Sequence, residues 1–140
     1  MYKTEHISNS VIQTIEIGRK LGALLAPGDV VCLDGDLGAG KTHFVKGIAS
    51  HFGIDENLVN SPTFVIIQEY SGSLPVYHFD AYRIKNEQEA MDLGIEEYFG
   101  GEGVCVVEWS QHFGNLIPQD AIKVQINATG NTERLIKIDR

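Results

Sequence analysis

The sequence predicts an α/β fold: a mixed central β-sheet flanked by helices and organised around a phosphate-binding loop. Three observations predict it. First, the apolar run Asp29-Val30-Val31-Cys32-Leu33-Asp34 reads as a buried strand, and Phe44, Val45, Ile48 and Phe52 recur at helical spacing a few residues later, with Gly53 as a C-terminal stop. Between them lies Gly35-Asp36-Leu37-Gly38-Ala39-Gly40-Lys41-Thr42, which fits G-x-x-x-x-G-K-[ST] in the strand–loop–helix setting that this motif requires. Second, Phe64–Tyr70 and Leu74–Asp80 are strand-like runs joined only by Ser71-Gly72-Ser73, which makes them an antiparallel hairpin insertion and the sheet a mixed one. Third, Ile122, Val124 and Ile126 alternate with Lys123, Gln125 and Asn127, and after the turn at Thr129–Thr132 the segment Arg134–Ile138 returns as a C-terminal antiparallel pair. The fold class is therefore a P-loop NTPase.

The remaining elements follow in order. Ser8 or Ser10 can N-cap a helix running to about Leu25, with Val11, Ile15, Leu21, Leu24 and Leu25 on its apolar side. Gly18 and Gly22 fall on that stripe and permit close packing. Pro27-Gly28-Asp29 turns the chain into the P-loop strand. Asn86 with Glu89 three residues on resembles a capping box, opening a short helix to about Leu93 that stops at Gly94. Ile95–Phe99 reads as another turn of helix, broken by Gly100-Gly101-Glu102-Gly103. Val104–Glu108 is an apolar strand ending in acid, and Trp109–Gly114 is a loop or short helix.

With 140 residues, the chain is long enough for one domain with its own core, taken as spanning 1–140. Its 43% apolar and 21% charged content suits a soluble globular protein. No run approaches a membrane span, and the N-terminus lacks the apolar core of a signal peptide. Cys32 and Cys105 sit inside apolar runs and read as buried thiols, so a cytoplasmic location fits. A net charge of −8 argues against a broad nucleic-acid-binding face.

The P-loop chemistry follows from its composition. Glycines let backbone N–H groups point inward, and the helix start adds partial positive charge. Lys41 reaches the outer phosphates and Thr42 offers a hydroxyl to magnesium. Hydrolysis also needs a metal-holding carboxylate and a means to place water. Two strands end in acid: Glu108 in a Walker B-like position, and Asp80. In open α/β sheets ligands sit at the carboxyl ends of strands, so both can approach Thr42. Ser61-Pro62-Thr63 reads either as a switch segment in which Thr63 senses phosphate or metal, or as a Ser-Pro turn before a strand. Trp109 reads as a neighbour of the nucleotide or as a core anchor. His78 shares a strand with Asp80 and reads as its orienter or as a satisfied core histidine.

Four segments in this order, Gly35–Thr42, Ser61-Pro62-Thr63-Phe64, His78-Phe79-Asp80-Ala81-Tyr82-Arg83 and Val106-Val107-Glu108-Trp109, resemble the bacterial TsaE (YjeE) family, over about residues 8 to 138. The resemblance implies the ATPase subunit of the machinery that makes threonylcarbamoyladenosine in tRNA. It implies ATP and Mg2+ as ligands, and as partners the TsaD and TsaB proteins, with tRNA met mainly through that complex and no other small-molecule substrate. Carried over by position, Lys41 holds phosphates, Thr42 and Glu108 hold magnesium, and Asp80 joins the catalytic or switch group. Thr63 belongs to the switch-like segment and Trp109 lies near the nucleotide. Ser10, Val11 and Arg134 border the adenine and ribose. One departure is His43, where the family often has a second Thr beside the P-loop; counted among the nucleotide-binding positions, the histidine reads as meeting either a phosphate or a partner surface.

Two other readings bear on the same residues. A P-loop small-molecule kinase usually carries an arginine-rich lid, whereas here only Arg83 among Arg19, Arg83, Arg134 and Arg140 is near a candidate site. A nucleotide-sensing module of the GTPase type needs N-K-x-D, which the chain lacks.

Overall fold

The computed structural model describes residues 3–36, 40–60 and 67–140. The strands are β1 (Lys3–Ser8), β2 (Val30–Gly35), β3 (Ile67–Tyr70), β4 (Val76–Asp80), β5 (Val104–Glu108), β6 (Ile122–Ala128) and β7 (Arg134–Asp139). The helices are α1 (Val11–Gly22), α2 (Lys41–His51) and α3 (Glu87–Asp92), with 3-10 segments at Glu56–Leu58, Ile95–Glu97 and Ser110–Leu116. The described strands form one sheet in the order β1-β7-β6-β2-β5-β4-β3. Its centre, β6-β2-β5-β4, is parallel, while β3 on β4 and the β6-β7-β1 ribbon are antiparallel. This is the mixed sheet, hairpin insertion and C-terminal pair that the sequence predicts; of the predicted strand Phe64–Tyr70, residues 64–66 lie outside the described residues and β3 is described from Ile67.

The central strands are apolar on both faces because both are covered. On one face Val31, Leu33, Val104 and Val106 meet Leu21, Phe44, Val45 and Ile48 of α1 and α2. On the other, Val30, Cys32, Cys105 and Val107 meet Phe79, Ile84, Ala90, Ile95 and Phe113. Both cysteines are free and buried. Among the described residues no helix is long and apolar enough to cross a membrane.

Helices α1 and α2 touch backbone to backbone. A Cβ on Gly18 would strike the Phe44 carbonyl, and one on Gly47 would strike the Ile15 carbonyl. Gly18 thus serves the close packing expected of it. The boundaries of α1 differ from expectation. Ser10 is the N-cap, its hydroxyl accepting from Gln13 N–H, but the helix ends at Gly22. Leu24 and Leu25 continue it only as tightened turns, bonding to Leu21 and Gly22 carbonyls. Its buried side is Thr14, Gly18, Leu21 and Gly22, while Val11 and Leu24 are exposed. The true stripe is therefore set by the glycine contacts with α2, not by the apolar residues alone.

Strand β1 was not expected. Its residues are mostly polar, and it is a strand because it pairs along its length with β7, from Lys3 opposite Asp139 to Ser8 opposite Arg134. At α3 the Asn86 carboxamide caps Glu89 N–H as the sequence predicts, while the Glu89 carboxylate reaches back to Lys85 N–H.

Candidate functional site

The carboxyl ends of β2, β4 and β5 lie side by side, and the candidate site is assembled there. Parallel pairing sets Leu33 beside Glu108 and Asp80 beside Glu108. Beyond β2 the chain passes through the P-loop to Gly40, whose left-handed backbone (φ 98°) starts α2 without a side-chain cap. That backbone favours glycine, and an uncapped helix start leaves N–H groups for an anion. Gly35 closes β2 against β6, where a Cβ would run into the Ile126 carbonyl. Asp36 is exposed. Leu37, Gly38 and Ala39 of the loop, and the switch candidate Thr63, lie outside the described residues.

Lys41, the first residue of α2, extends back over the end of β2. Its Nζ donates to the Gly35 carbonyl at 3.1 Å and lies 3.7 Å from Glu108 Oε1. Both side chains of this pair are close to fully buried. The second Glu108 oxygen, Oε2, is 2.6 Å from His78 Nε2 on β4. Since a carboxylate only accepts, the imidazole Nε2–H is the donor. His78 is fully buried, and its Nδ1 has no hydrogen-bond partner among the described residues. Of the two readings of His78, orienter of Asp80 or satisfied core histidine, its full burial and its hydrogen bond to Glu108 across the ladder fit the second. Asp80 is engaged elsewhere, with Oδ1 accepting from Tyr82 N–H at 2.9 Å.

Trp109 follows Glu108 with φ 59°, the one non-glycine residue of positive φ among those described. Such a backbone is uncommon for a bulky side chain and stores strain at a site. It brings the indole under Lys41, with Nζ 5.4 Å from the ring centroid, and edge-on to the exposed Tyr82, with centroids 5.0 Å apart. His112 flanks the same indole at 5.9 Å and donates from Nδ1 to the Ala81 carbonyl. Trp109 thus lies beside the P-loop lysine and, partly buried, also packs against the core on that side of the sheet.

A third carboxyl stands here, beyond the two strand-end acids that the sequence predicts. Asp34, near the end of β2, has its carboxyl pushed up by burial, opposed by the Ser110 hydroxyl at 3.4 Å and by Lys41, with Glu108 adding to the rise. It too sits near the carboxyl end of an apolar strand, the signal used for Asp80 and Glu108.

Of the other predicted positions, Thr42 stays beside Lys41 and the rest lie toward β1, β7 and the start of α1. Thr42 is half-buried in the first turn of α2. Ser10 caps α1 and Val11 is half-exposed beside it. Ser8 Oγ donates to the Ser10 carbonyl and shares a 2.7 Å hydrogen bond with Thr14, whose methyl faces Gly40. Arg134 opens β7 opposite Ser8, and its guanidinium donates to the Gly130 and Glu133 carbonyls. His43 is half-buried. Burial lowers its pKa first, and the cations Lys46 and Arg134 lower it further.

Magnesium binds through oxygen ligands and keeps several waters. Glu108 offers a buried carboxylate anchored through one oxygen, and Thr42 a hydroxyl in the adjoining helix turn. Among the described residues no three His, Cys, Asp or Glu side chains gather into a cage. A metal here would draw its other ligands from phosphate and water, which suits magnesium.

The family model described as "Threonylcarbamoyl adenosine biosynthesis protein TsaE" matches residues 8–136. The chain belongs to the TsaE family. The tRNA threonylcarbamoyladenosine biosynthesis protein TsaE of Bacillus subtilis is 50% identical over 125 residues, covering 89% of this chain and 77% of that protein. The TsaE protein of the same description from Treponema pallidum is 40% identical over 129 residues, 91% of this chain and 95% of that one. The crystal structure of Bacillus subtilis YdiB superposes with a TM-score of 0.81 at 38% identity, over 98% of this chain and 84% of that one. These likenesses bear out both the resemblance read from the motifs and the P-loop α/β fold of the TsaE family.

Proposed function

We propose that this chain acts in the formation of threonylcarbamoyladenosine in tRNA, as a magnesium-dependent ATP-binding and ATP-hydrolysing subunit that supports turnover of the TsaB–TsaD machinery. The observation that carries the ATPase reading is the convergence of Lys41 and Glu108 at the carboxyl ends of β2 and β5. The family match and the names of the relatives support the pathway.

In this reading Lys41 gives up its contacts with Gly35 and Glu108 to bind the outer phosphates of ATP. Thr42 and Glu108 hold magnesium, which when bound draws negative charge from the phosphate oxygens. Trp109 packs beside the Lys41 ammonium and screens it from water, and Asp80 flanks Glu108 where the attacking water is to be oriented. Catalysis is mainly positioning and charge stabilisation, which a buried cation and a buried carboxylate converging on one spot support. The nucleoside lies toward Ser10, Val11 and Arg134.

The test measures magnesium-dependent ATP hydrolysis alone and with purified TsaB–TsaD and tRNA, while tRNA modification is followed. The expected result is hydrolysis that supports repeated rounds of modification and falls roughly 100- to 1000-fold in Lys41→Ala. Near-normal turnover in that variant, or hydrolysis with no effect on modification, refutes the reading.

A further inference from the structure

We propose that His78 is a positioning residue for Glu108: its imidazole holds one carboxylate oxygen so that the other faces the P-loop in the geometry magnesium needs. The inference rests on the ATPase reading above and adds a residue to it.

The placement is specific. Along β4 and β5, parallel pairing puts His78 beside Val106 and Asp80 beside Glu108, with side chains two apart on the same face. Glu108 leans back over its own strand to reach His78 at 2.6 Å. That leaves Oε1 as the oxygen directed at Lys41, 3.7 Å away. A carboxylate free to rotate about its last bond presents either oxygen at many angles. One short hydrogen bond from a donor locked in a sheet fixes its plane. His78 is locked in this way, being fully buried in the middle of β4 with the Tyr70 ring 6.4 Å away.

A role in stability alone accounts poorly for the pair. Burying a polar contact of this kind on an otherwise apolar sheet face costs desolvation, and well-packed apolar residues often do as well or better there. The neighbours of His78 on that face, Val76, Val104 and Val106, show what such a face otherwise selects. Partners that orient metal-ligating carboxylates commonly change metal affinity or activity by about 10- to 100-fold when removed.

The experiment compares the wild type with His78→Phe, His78→Gln and His78→Asn. Gln can carry an N–H to nearly the position of Nε2; Asn stops short of it; Phe fills the space without a donor. Trp109, the chain's single tryptophan, reports binding by fluorescence. Binding of a non-hydrolysable ATP analogue is titrated in magnesium and in EDTA, and the magnesium dependence of turnover is measured beside it. Thermal unfolding establishes that each variant is folded. The expected result is that His78→Phe and His78→Asn keep the EDTA affinity but lose about 10- to 100-fold in the magnesium-dependent gain. His78→Gln should stay within about threefold of wild type, as rescue by the conserved donor requires. A wild-type magnesium response in His78→Asn or His78→Phe overturns the proposal, as does an equal loss in Gln and Asn. If His78→Phe fails to fold, the Gln–Asn pair decides alone. Should Lys41→Ala leave analogue binding and turnover intact, the ATPase reading itself fails, which is a different outcome from any of these.

Discussion

Gly47 lies where the backbone of α2 meets that of α1, and Gly47→Ala should force the two helices apart. An added Cβ would sit 2.8 Å from Arg19 N and closer still to the Ile15 carbonyl, whereas ordinary contact begins at 3.4 Å. The helices must therefore separate by roughly 0.6 Å at Arg19 and by more at Ile15. Neither obstacle is a side chain that can rotate away. Overpacking of this kind costs about 1–3 kcal/mol, and rigid backbone on both sides places the cost at the upper end. Against it, alanine gains about 1 kcal/mol of helix propensity over glycine. The net is a loss of about 2 kcal/mol, or roughly 4–8 °C in Tm for a chain of this size. Calorimetry without nucleotide measures it. Gly130→Ala, where the nearest atom to a new Cβ is 3.7 Å away, is the control and should stay within about 0.5 kcal/mol. The shift should also reach the site, because α2 begins with Lys41 and a misplacement approaching 1 Å can cost on the order of 100-fold in turnover. A Gly47→Ala protein as stable as the wild type would refute the backbone contact.

Two further outcomes are expected. Glu108→Ala should weaken magnesium dependence and turnover together, and an unchanged magnesium titration would remove Glu108 from the metal site. Burial pushes the Cys105 thiol from an ordinary 9.0 up to about 12. A thiol whose folded pKa is raised adds stability below its unfolded pKa and loses it as pH rises toward the folded value. Urea unfolding between pH 9 and 11 should therefore show stability falling with pH, and more gently in Cys105→Ala; parallel slopes would contradict the shift.

Much of this arrangement is legible in the chain because its signals are local. The P-loop lies between an apolar run and a helical repeat, β6 alternates, and Asn86 caps a helix within three residues. Lys41 and Glu108 are each marked by their own neighbours. What escapes the sequence is set by distant partners. Strand β1 carries too few apolar residues to announce itself and exists through β7. On the buried side of α1 the sequence marks Gly18, Leu21 and Gly22 but not Thr14, whose burial is set by its neighbours across the fold rather than by an apolar side chain. That His78 is a satisfied core histidine is one of its two readings in the sequence, but the identity of its partner is not legible there, because Glu108 comes from β5.

The position of β2 at the middle of the sheet bears on how the protein is made. Its edges are closed by strands that come much later in synthesis: Val30 pairs with Cys105, and Val31 with Ile122. Domains emerge from the ribosome N-terminus first, and non-local strand pairing is slow. A nascent chain bearing Gly35–Thr42 thus has its phosphate loop long before the strand beneath it is anchored and before Glu108 exists to face Lys41. On the proposed ATPase reading, competence to use a nucleotide should arrive late in translation, when β5 and β6 dock on either side, and stalled or truncated chains should carry the loop without hydrolysing ATP.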